Sequence, residues 1–124
     1  MRLIIAGTRT FRFDHDFIYE AILAAVGEYQ RFPKILEIVS GGADGIDRSA
    51  KKYAEAWEVP YKEFPAEWDK YGPSAGPRRN RQMADYADAL LLIWDGKSKG
   101  SANMKKEMSL LKKPIFEVII KRHE

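Results

Sequence analysis

Residues 40–47, with the sequence SGGADGID, combine a glycine turn with two carboxylates. They follow the apolar run of residues 35–39 and precede a helical pattern of apolar residues that begins at Ile46. The adjacent glycines Gly41 and Gly42 let a backbone turn sharply and approach a ligand. A helix that starts after such a turn directs its free N–H groups at an anion. The stretch matches neither GxxxxGK[ST] nor GxGxxG. It indicates an anion-binding turn or, alternatively, a tight strand-to-helix turn that binds nothing.

Charged side chains beside this turn suit a phosphorylated sugar. Arg9 follows the strand-end glycine Gly7 and is placed to meet an anion by paired hydrogen bonds, although an ordinary surface arginine is the alternative. Asp44 is either a helix cap or an acceptor for ribose hydroxyls. Asp47 either favours the helix dipole or contacts a ribose. Because a carboxylate beside a phosphate is unfavourable, both aspartates match a sugar or a base better.

A second polar group follows a Gly-Pro step that favours a helix start. It contains Arg78, Arg79 and Asn80. Asn80 shares the apolar face of this helix, so its amide needs partners from a ligand or from the neighbouring glycine loop. Trp68 and Tyr71, which precede the helix, either stack on a base or close over the core.

Composition excludes several other chemistries. The chain has no cysteine, which excludes disulfides, thiolate metal sites and cysteine catalysis. We interpret His15 and His123 as surface residues, since neither has metal-type neighbours and no GxSxG motif occurs. We therefore expect no metal and no cofactor. No apolar run approaches the ~20 residues of a membrane span, and none resembles the core of a signal peptide. These features predict a cytoplasmic protein with no membrane partner.

The charge balance is weak evidence for nucleic acid. The net charge is +3 and the pI is about 9.1. Basic residues are spread along the chain rather than concentrated in one stripe. We interpret the lysines at positions 97, 99, 105 and 106 as solvated residues of a helix face.

Strands and helices alternate along the chain and would position these groups. Apolar runs predict strands at residues 2–6, 35–39, 59–64, 89–94 and 115–120. The run at 89–94 is the most apolar and is expected to be the central strand, whereas prolines place 59–64 near an edge. The first helix carries an apolar stripe from Ile18 to Val26 and Tyr29, and Pro33 closes it. Residues 66–77 are expected to be the longest irregular segment.

This alternation predicts one domain over residues 1–124, of the α/β class, with a mostly parallel five-stranded sheet covered by helices. In such sheets, ligands bind beyond the carboxyl ends of the strands. Three glycine-bearing junctions follow strands, at Gly7, at 41–42 and at 96–100. Their convergence on one edge of the sheet favours a binding site over an empty turn.

Four segments together resemble the YspA-like, cpYpsA-related branch of the SLOG superfamily. They are GTR at 7–9, SGGADGID at 40–47, AEWDKYGPSAGPRRNRQMADYADALLLIW at 66–94 and DGKSKGS at 95–101. The pairing of GGADGID with AGPRRNRQMA is the specific part. The resemblance implies a Rossmann-like three-layer sandwich that binds nucleotides or nucleotide-derived molecules. Some relatives cleave nucleoside monophosphates at the N-glycosidic bond, others bind single-stranded DNA, and many are treated as ligand sensors.

The resemblance also implies a set of ligand-binding residues. Carried over position by position, the set is Gly7, Thr8, Arg9, Gly41, Gly42, Ala43, Asp44, Asp47, Arg78, Arg79, Asn80, Gly100 and Ser101. Family members often have Gly-Thr at positions 100–101, and serine keeps the hydroxyl. The hydrolase branch carries a PGGxGTxxE motif, to which DGKSKGSANMKKE at 95–107 is only a loose analogue. Catalysis is therefore left open, with Asp44, Asp47 and Glu107 as candidates.

We expect the chain to bind a nucleotide or nucleotide-derived small molecule at the C-terminal edge of the sheet, as a sensor or carrier. Its anionic group would rest on the loops at 41–42 and 100–101, near Arg9 and Arg78. The alternatives are N-glycosidase-type hydrolysis of nucleoside monophosphates and, with less support, binding of single-stranded nucleic acid. A homodimer or higher homo-oligomer is left open, because four aromatic residues suit an interface as well as a core. They are Phe11, Phe13, Trp57 and Trp94.

Overall fold

Five parallel strands form the centre of the structure, a computed structural model that describes residues 1–9, 15–25 and 35–120. The strands are β1 (Arg2–Gly7), β2 (Glu37–Ser40), β3 (Tyr61–Glu63), β4 (Ala89–Trp94) and β5 (Ile115–Ile119). Their order in the sheet is β3-β2-β1-β4-β5, and every neighbouring pair is parallel. The chain therefore builds outward from β1 to one edge and then returns to the other side of β1. This reversal between β1 and β4 leaves a crevice beyond their carboxyl ends.

Helices cover both faces of the sheet. Helices α1 (His15–Ala25) and α2 (Ile46–Ala56) pack on one face, whereas α4 (Ala75–Tyr86) and α5 (Lys99–Leu110) pack on the other. Between β3 and α4 lie the single-turn helix α3 (Trp68–Tyr71) and a 3₁₀ turn (Gly72–Ser74). None of the described helices is long and apolar enough to cross a membrane.

Strand β1 has apolar residues at successive positions because its side chains enter the cores on both faces of the sheet. Leu3 and Ile5 belong to the core beneath α1 and α2, whereas Ile4 belongs to the core beneath α4 and α5. All three side chains are fully buried. Side chains of a strand alternate between the two faces of the sheet, so a strand covered on both faces needs apolar residues at successive positions.

The α/β fold predicted from the sequence is confirmed, and the sheet is wholly parallel. Two details were wrong. Strand β1, not β4, occupies the middle of the sheet, although β4 is equally buried. Most of residues 66–77, predicted to be irregular, form α3, the 3₁₀ turn and the first turn of α4. Pro73 and Pro77 are tolerated there because the first N–H groups of a helix have no acceptor within it.

Several sequence predictions lie outside the described residues. They are the extension of the first helix to Val26 and Tyr29, its end at Pro33, the roles of Phe11 and Phe13, and the placement of the His15 and His123 side chains. Of the other two aromatic residues, Trp94 is buried in the core, whereas Trp57 is about half exposed and stacks on Tyr19 at 4.7 Å between ring centroids.

Candidate functional site

A cavity of about 430 Å³ lies beyond the carboxyl end of β1, between α4, α5 and the glycine turn at 41–45. Many of the residues predicted from the sequence line it. They are Gly7, Arg9, Ala43, Asp47, Arg79, Asn80, Gly100 and Ser101. The parallel sheet therefore brings together groups that are up to 94 positions apart in the sequence.

Two backbone N–H groups of the glycine turn donate to side chains of the same segment. The N–H of Gly42 donates to Ser40 Oγ at 3.2 Å, and the N–H of Ala43 donates to Asp47 Oδ2 at 3.2 Å. Gly45 adopts a positive φ of 76°, and a Cβ there would lie 2.3 Å from the Thr8 carbonyl oxygen. The turn is thus closed against β1 and directs two of its N–H groups inward. This differs from the expectation that an anion rests on the loop at 41–42.

Asp47 lies in the first turn of α2 and is only 7% exposed. Burial raises the pKa of its carboxyl to about 6, because the charged form loses hydration. The hydrogen bond from Ala43 and the positive charges of Arg79 and Arg9 lower that pKa, but burial outweighs these three effects. The negative charge of Glu63 raises the pKa further. Asp47 consequently exchanges a proton close to neutral pH, which is a property of many functional carboxyl groups.

Arg79 joins α4 to the glycine turn. Its side chain is buried, with Nη1 donating to the Gly41 carbonyl at 2.8 Å and Nε donating to Asn80 Oδ1 at 3.0 Å. A Cβ on Gly41 would lie 2.1 Å from Nη1. A side chain at position 41 would therefore displace the guanidinium of Arg79, which also lines the cavity.

Asn80 continues this network to α5. Its Nδ2 donates to Asn103 Oδ1 at 2.8 Å and to the Gly100 carbonyl at 3.3 Å. The buried amide is thus satisfied by protein groups, without a ligand. Asn103, which also lines the cavity, was not singled out from the sequence. The sequence feature that could have identified Asn103 is its position three residues after Gly100, which puts both residues on the same side of a helix.

The N-terminus of α5 has two N–H groups without an acceptor in the helix. Asp95 Oδ1 accepts from the N–H groups of Lys97 and Ser98, and Ser98 Oγ accepts from Ser101. Lys99 and Gly100 begin the helix, where N–H groups have no acceptor within it. In the described part of the chain, neither of these two N–H groups bonds to another protein group.

Both Lys99 and Gly100 line the cavity. Lys99 is exposed, as the sequence predicted for a solvated lysine, and it lies at the rim of this space as well. A helix N-terminus with an adjacent cation attracts anions through its dipole and its free donors.

An outer groove of about 360 Å³ adjoins the cavity. Its lining residues are Arg9, Gly42, Ala43, Asp44 and Trp68, of which Arg9, Ala43 and Trp68 also line the cavity. Trp68 is 49% exposed, and its ring lies 3.2 Å from the position of a Cβ on Gly76. Of the two sequence interpretations, closure over the core does not describe this tryptophan.

The remaining predicted residues lie elsewhere. Thr8 is buried, and its backbone bridges β4 and α2 through the Ile93 carbonyl and the Ile46 N–H. The guanidinium of Arg78 lies 4.2 Å from the centre of the Tyr71 ring, on the exposed side of α4. Glu107 pairs with Arg81 at 3.5 Å. Thr8, Gly41, Arg78 and Glu107 do not line the cavity.

The chain is similar to known proteins in both sequence and fold. The family model of YspA, cpYpsA-related SLOG proteins (YAcAr) matches residues 1–71. Gene 61 protein of Mycobacterium phage D29 is 31% identical over 112 residues, which cover 86% of each protein. DNA processing protein A (DprA) from Streptococcus pneumoniae superimposes with a TM-score of 0.71 at 17% identity over 97% of this chain. The chain spans half of that DprA chain, and the likeness shows the Rossmann-like fold. The profile match and the phage relative together show that the chain belongs to the YspA, cpYpsA-related SLOG family.

Proposed function

We propose that this protein binds a nucleotide or nucleotide-derived small molecule in the cavity, as a ligand sensor or carrier. The observation that carries the proposal is the convergence, in one space, of the open N–H groups of Lys99 and Gly100 with the cations Arg9 and Arg79. Free helix donors and nearby arginines suit a phosphate. Membership of the SLOG family supports the same class of ligand.

The arrangement favours one orientation of such a ligand. Its phosphate would lie at the N-terminus of α5, because the N–H groups of Gly42 and Ala43 are already bonded within the glycine turn. Asp47 would repel a phosphate and therefore would face a sugar hydroxyl or a base N–H. Trp68 offers an exposed ring on which a base can stack.

Thermal denaturation against a ligand panel tests the proposal. The panel contains AMP, ADP, ATP, GMP, NAD, ADP-ribose and cyclic dinucleotides. A ligand present at 100 times its Kd adds about 2.7 kcal/mol to the free energy of unfolding, which is readily seen as a raised Tm. We expect a shift with at least one compound that is lost in Arg9→Ala and kept in Arg78→Ala, its matched control outside the cavity. Absence of a shift across the panel would refute the proposal.

Hydrolysis of a nucleoside monophosphate is a second candidate function, favoured by the environment of Asp47. Of the three candidate carboxylates, Asp47 lines the cavity, Asp44 lies in the outer groove, and Glu107 is paired with Arg81. A carboxyl with a pKa of about 6 can accept a proton from an attacking water near neutral pH. This function predicts release of free base and ribose 5-phosphate from AMP, and loss of that release in Asp47→Asn while AMP still binds. Unchanged AMP after prolonged incubation would exclude it for that substrate.

Binding of single-stranded nucleic acid has less support. A structural neighbour is named as a DNA processing protein, but the arginines of α4 do not form one basic surface within the described residues. Arg79 is buried, Arg81 pairs with Glu107, and Arg78 lies over Tyr71. A log–log salt dependence of about −0.7 per contacted phosphate in titrations with oligo(dT) would support this function over mononucleotide binding.

A further inference from the structure

Strand β5 lies at one edge of the sheet, and within the described residues its only strand neighbour is β4. The Pro114 carbonyl accepts from the N–H of Leu90, and the N–H of Ile120 donates to the Trp94 carbonyl. Even-numbered residues of this segment therefore bond to β4. Because backbone groups alternate in direction along a strand, those of the odd-numbered residues of β5 point away from the sheet. Such an edge is a template for pairing with another strand.

The side chains along this edge are apolar and partly uncovered. Ile119 is 52% exposed, and Ile115 is only partly buried against the core beneath α4 and α5. Charged side chains usually protect the edge of a sheet, and β5 contains one, Glu117. Its carboxylate accepts from Trp94 Nε1 at 2.6 Å and pairs with Lys105 Nζ at 3.1 Å. This charge is thus balanced within its own chain and leaves the edge open to a second strand.

The sequence of β5, IFEVI, is symmetric in character about Glu117. We propose that two copies of this chain pair through β5, antiparallel about a two-fold axis at Glu117, and so join their five-stranded sheets into one. Ile115 then lies opposite the partner's Ile119, and Phe116 lies opposite the partner's Val118. Cross-strand pairs of aromatic and β-branched residues stabilise antiparallel strands. The two ion pairs of Glu117 with Lys105 meet at the axis in place of two free carboxylates.

The geometry of the sheet permits this pairing. With the axis at Glu117, every odd-numbered residue of β5 faces an odd-numbered residue of the partner, so that their outward groups exchange hydrogen bonds. The β4 strands of the two copies are then three strand spacings apart, about 14 Å. Because α5 contacts β4 and β1, and packed helices need about 8–10 Å between their axes, the two copies of α5 do not collide. On the other face α1 contacts β5, so the two copies of α1 lie against each other across the axis.

Sedimentation equilibrium of the wild-type protein, at concentrations from about 1 μM to about 1 mM, tests the proposal. The average mass should rise from 14.2 kDa toward twice that value. Ile119→Lys should weaken the dimer at least about tenfold, because a lysine on an edge strand opposes pairing. Leu36→Lys is the matched control, since Leu36 is 65% exposed and lies just before β2, on the far side of β1 from β5. Circular dichroism melting curves establish that both variants are folded.

Amide hydrogen exchange of the wild-type protein locates the interface without any variant. The N–H groups of Glu117 and Ile119 should gain protection as the protein concentration rises, whereas those of Phe116 and Val118, which bond to β4, should be protected throughout. A mass of 14.2 kDa at every concentration would refute the pairing. A dimer that persists unweakened in folded Ile119→Lys, or that leaves Glu117 unprotected, would place the interface on another face and refute it as well. Neither result changes the case for nucleotide binding, because Ile119 and Leu36 line neither the cavity nor the outer groove.

Discussion

Replacing Asp47 by asparagine should stabilise the protein at neutral pH. The carboxyl has an ordinary pKa of 3.8 and a folded-state pKa of about 6. Each unit of difference corresponds to about 1.4 kcal/mol between the two protonation states, so the ionised carboxylate disfavours the folded state by about 3 kcal/mol. Asparagine is uncharged at every pH and keeps an oxygen that can accept the N–H of Ala43.

The sign of the pH dependence follows from proton binding. Between pH 4 and pH 6 the folded wild-type protein holds a proton on Asp47 that the unfolded chain has released. The contribution of this group to stability is therefore least favourable above pH 6, and the penalty disappears as the pH falls to about 4. The variant lacks this change. We expect Asp47→Asn to exceed the wild type by up to about 3 kcal/mol at pH 7.5 and to match it near pH 4.

Urea denaturation of both proteins at pH 4, 5, 6 and 7.5 measures this difference, and subtraction removes the contributions of all other titrating groups. Asp44→Asn is the matched control, because Asp44 is exposed and its ion pair with Arg48 lies at the surface. That change should alter the free energy of unfolding by less than about 1 kcal/mol. A loss of stability in Asp47→Asn at pH 7.5 would refute the reasoning, since it would mean that the hydrogen bond from Ala43 and the charges of Arg79 and Arg9 outweigh burial.

Three further substitutions test the remaining contacts. Gly41→Ala should displace the guanidinium of Arg79 and weaken ADP binding while lowering Tm, because the added Cβ would lie 2.1 Å from Nη1; unchanged Tm and affinity would contradict this packing. Gly100→Ala, where no atom lies within 4 Å of the added Cβ, should keep or raise Tm in the same melting assay, and a lowered Tm would show that position 100 is not open. Lys113→Met should lower the free energy of unfolding in urea by about 1–3 kcal/mol, because Nζ donates to the carbonyls of Ala84, Asp85 and Ala87 at the end of α4; no change would show that water replaces this ammonium at no cost.

The strands of the sheet could be predicted because each one is marked by a local run of apolar residues. Runs such as Leu3 to Ile5 and the continuous apolar stretch of β4 identify strands that are buried on both faces. Glycine junctions after these strands then placed Gly7, the turn at 41–45 and Gly100 at one edge. This reasoning uses only periodicity and the geometry of parallel sheets.

The contacts within the site had no such local signal. Gly41 and Arg79 are 38 positions apart, and their hydrogen bond depends on how α4 docks against the glycine turn. Asn103 and Lys99 resembled ordinary residues of a polar helix until α5 was placed beside Asn80. The turn also contains a positive φ of 74° at Gly42, which the pattern GG permits but does not specify.

The central claim is that an anion binds at the N-terminus of α5, and amide chemical shifts measure this most directly. At 14.2 kDa the protein suits ¹H–¹⁵N correlation spectra recorded during a titration with ADP. We predict that the amide signals of Lys99 and Gly100 move most, because their N–H groups are open. The signals of Gly42 and Ala43 should move less, because their N–H groups stay bonded to Ser40 and Asp47. The opposite pattern, with large shifts at Gly42 and Ala43 and none at Lys99 and Gly100, would contradict the account.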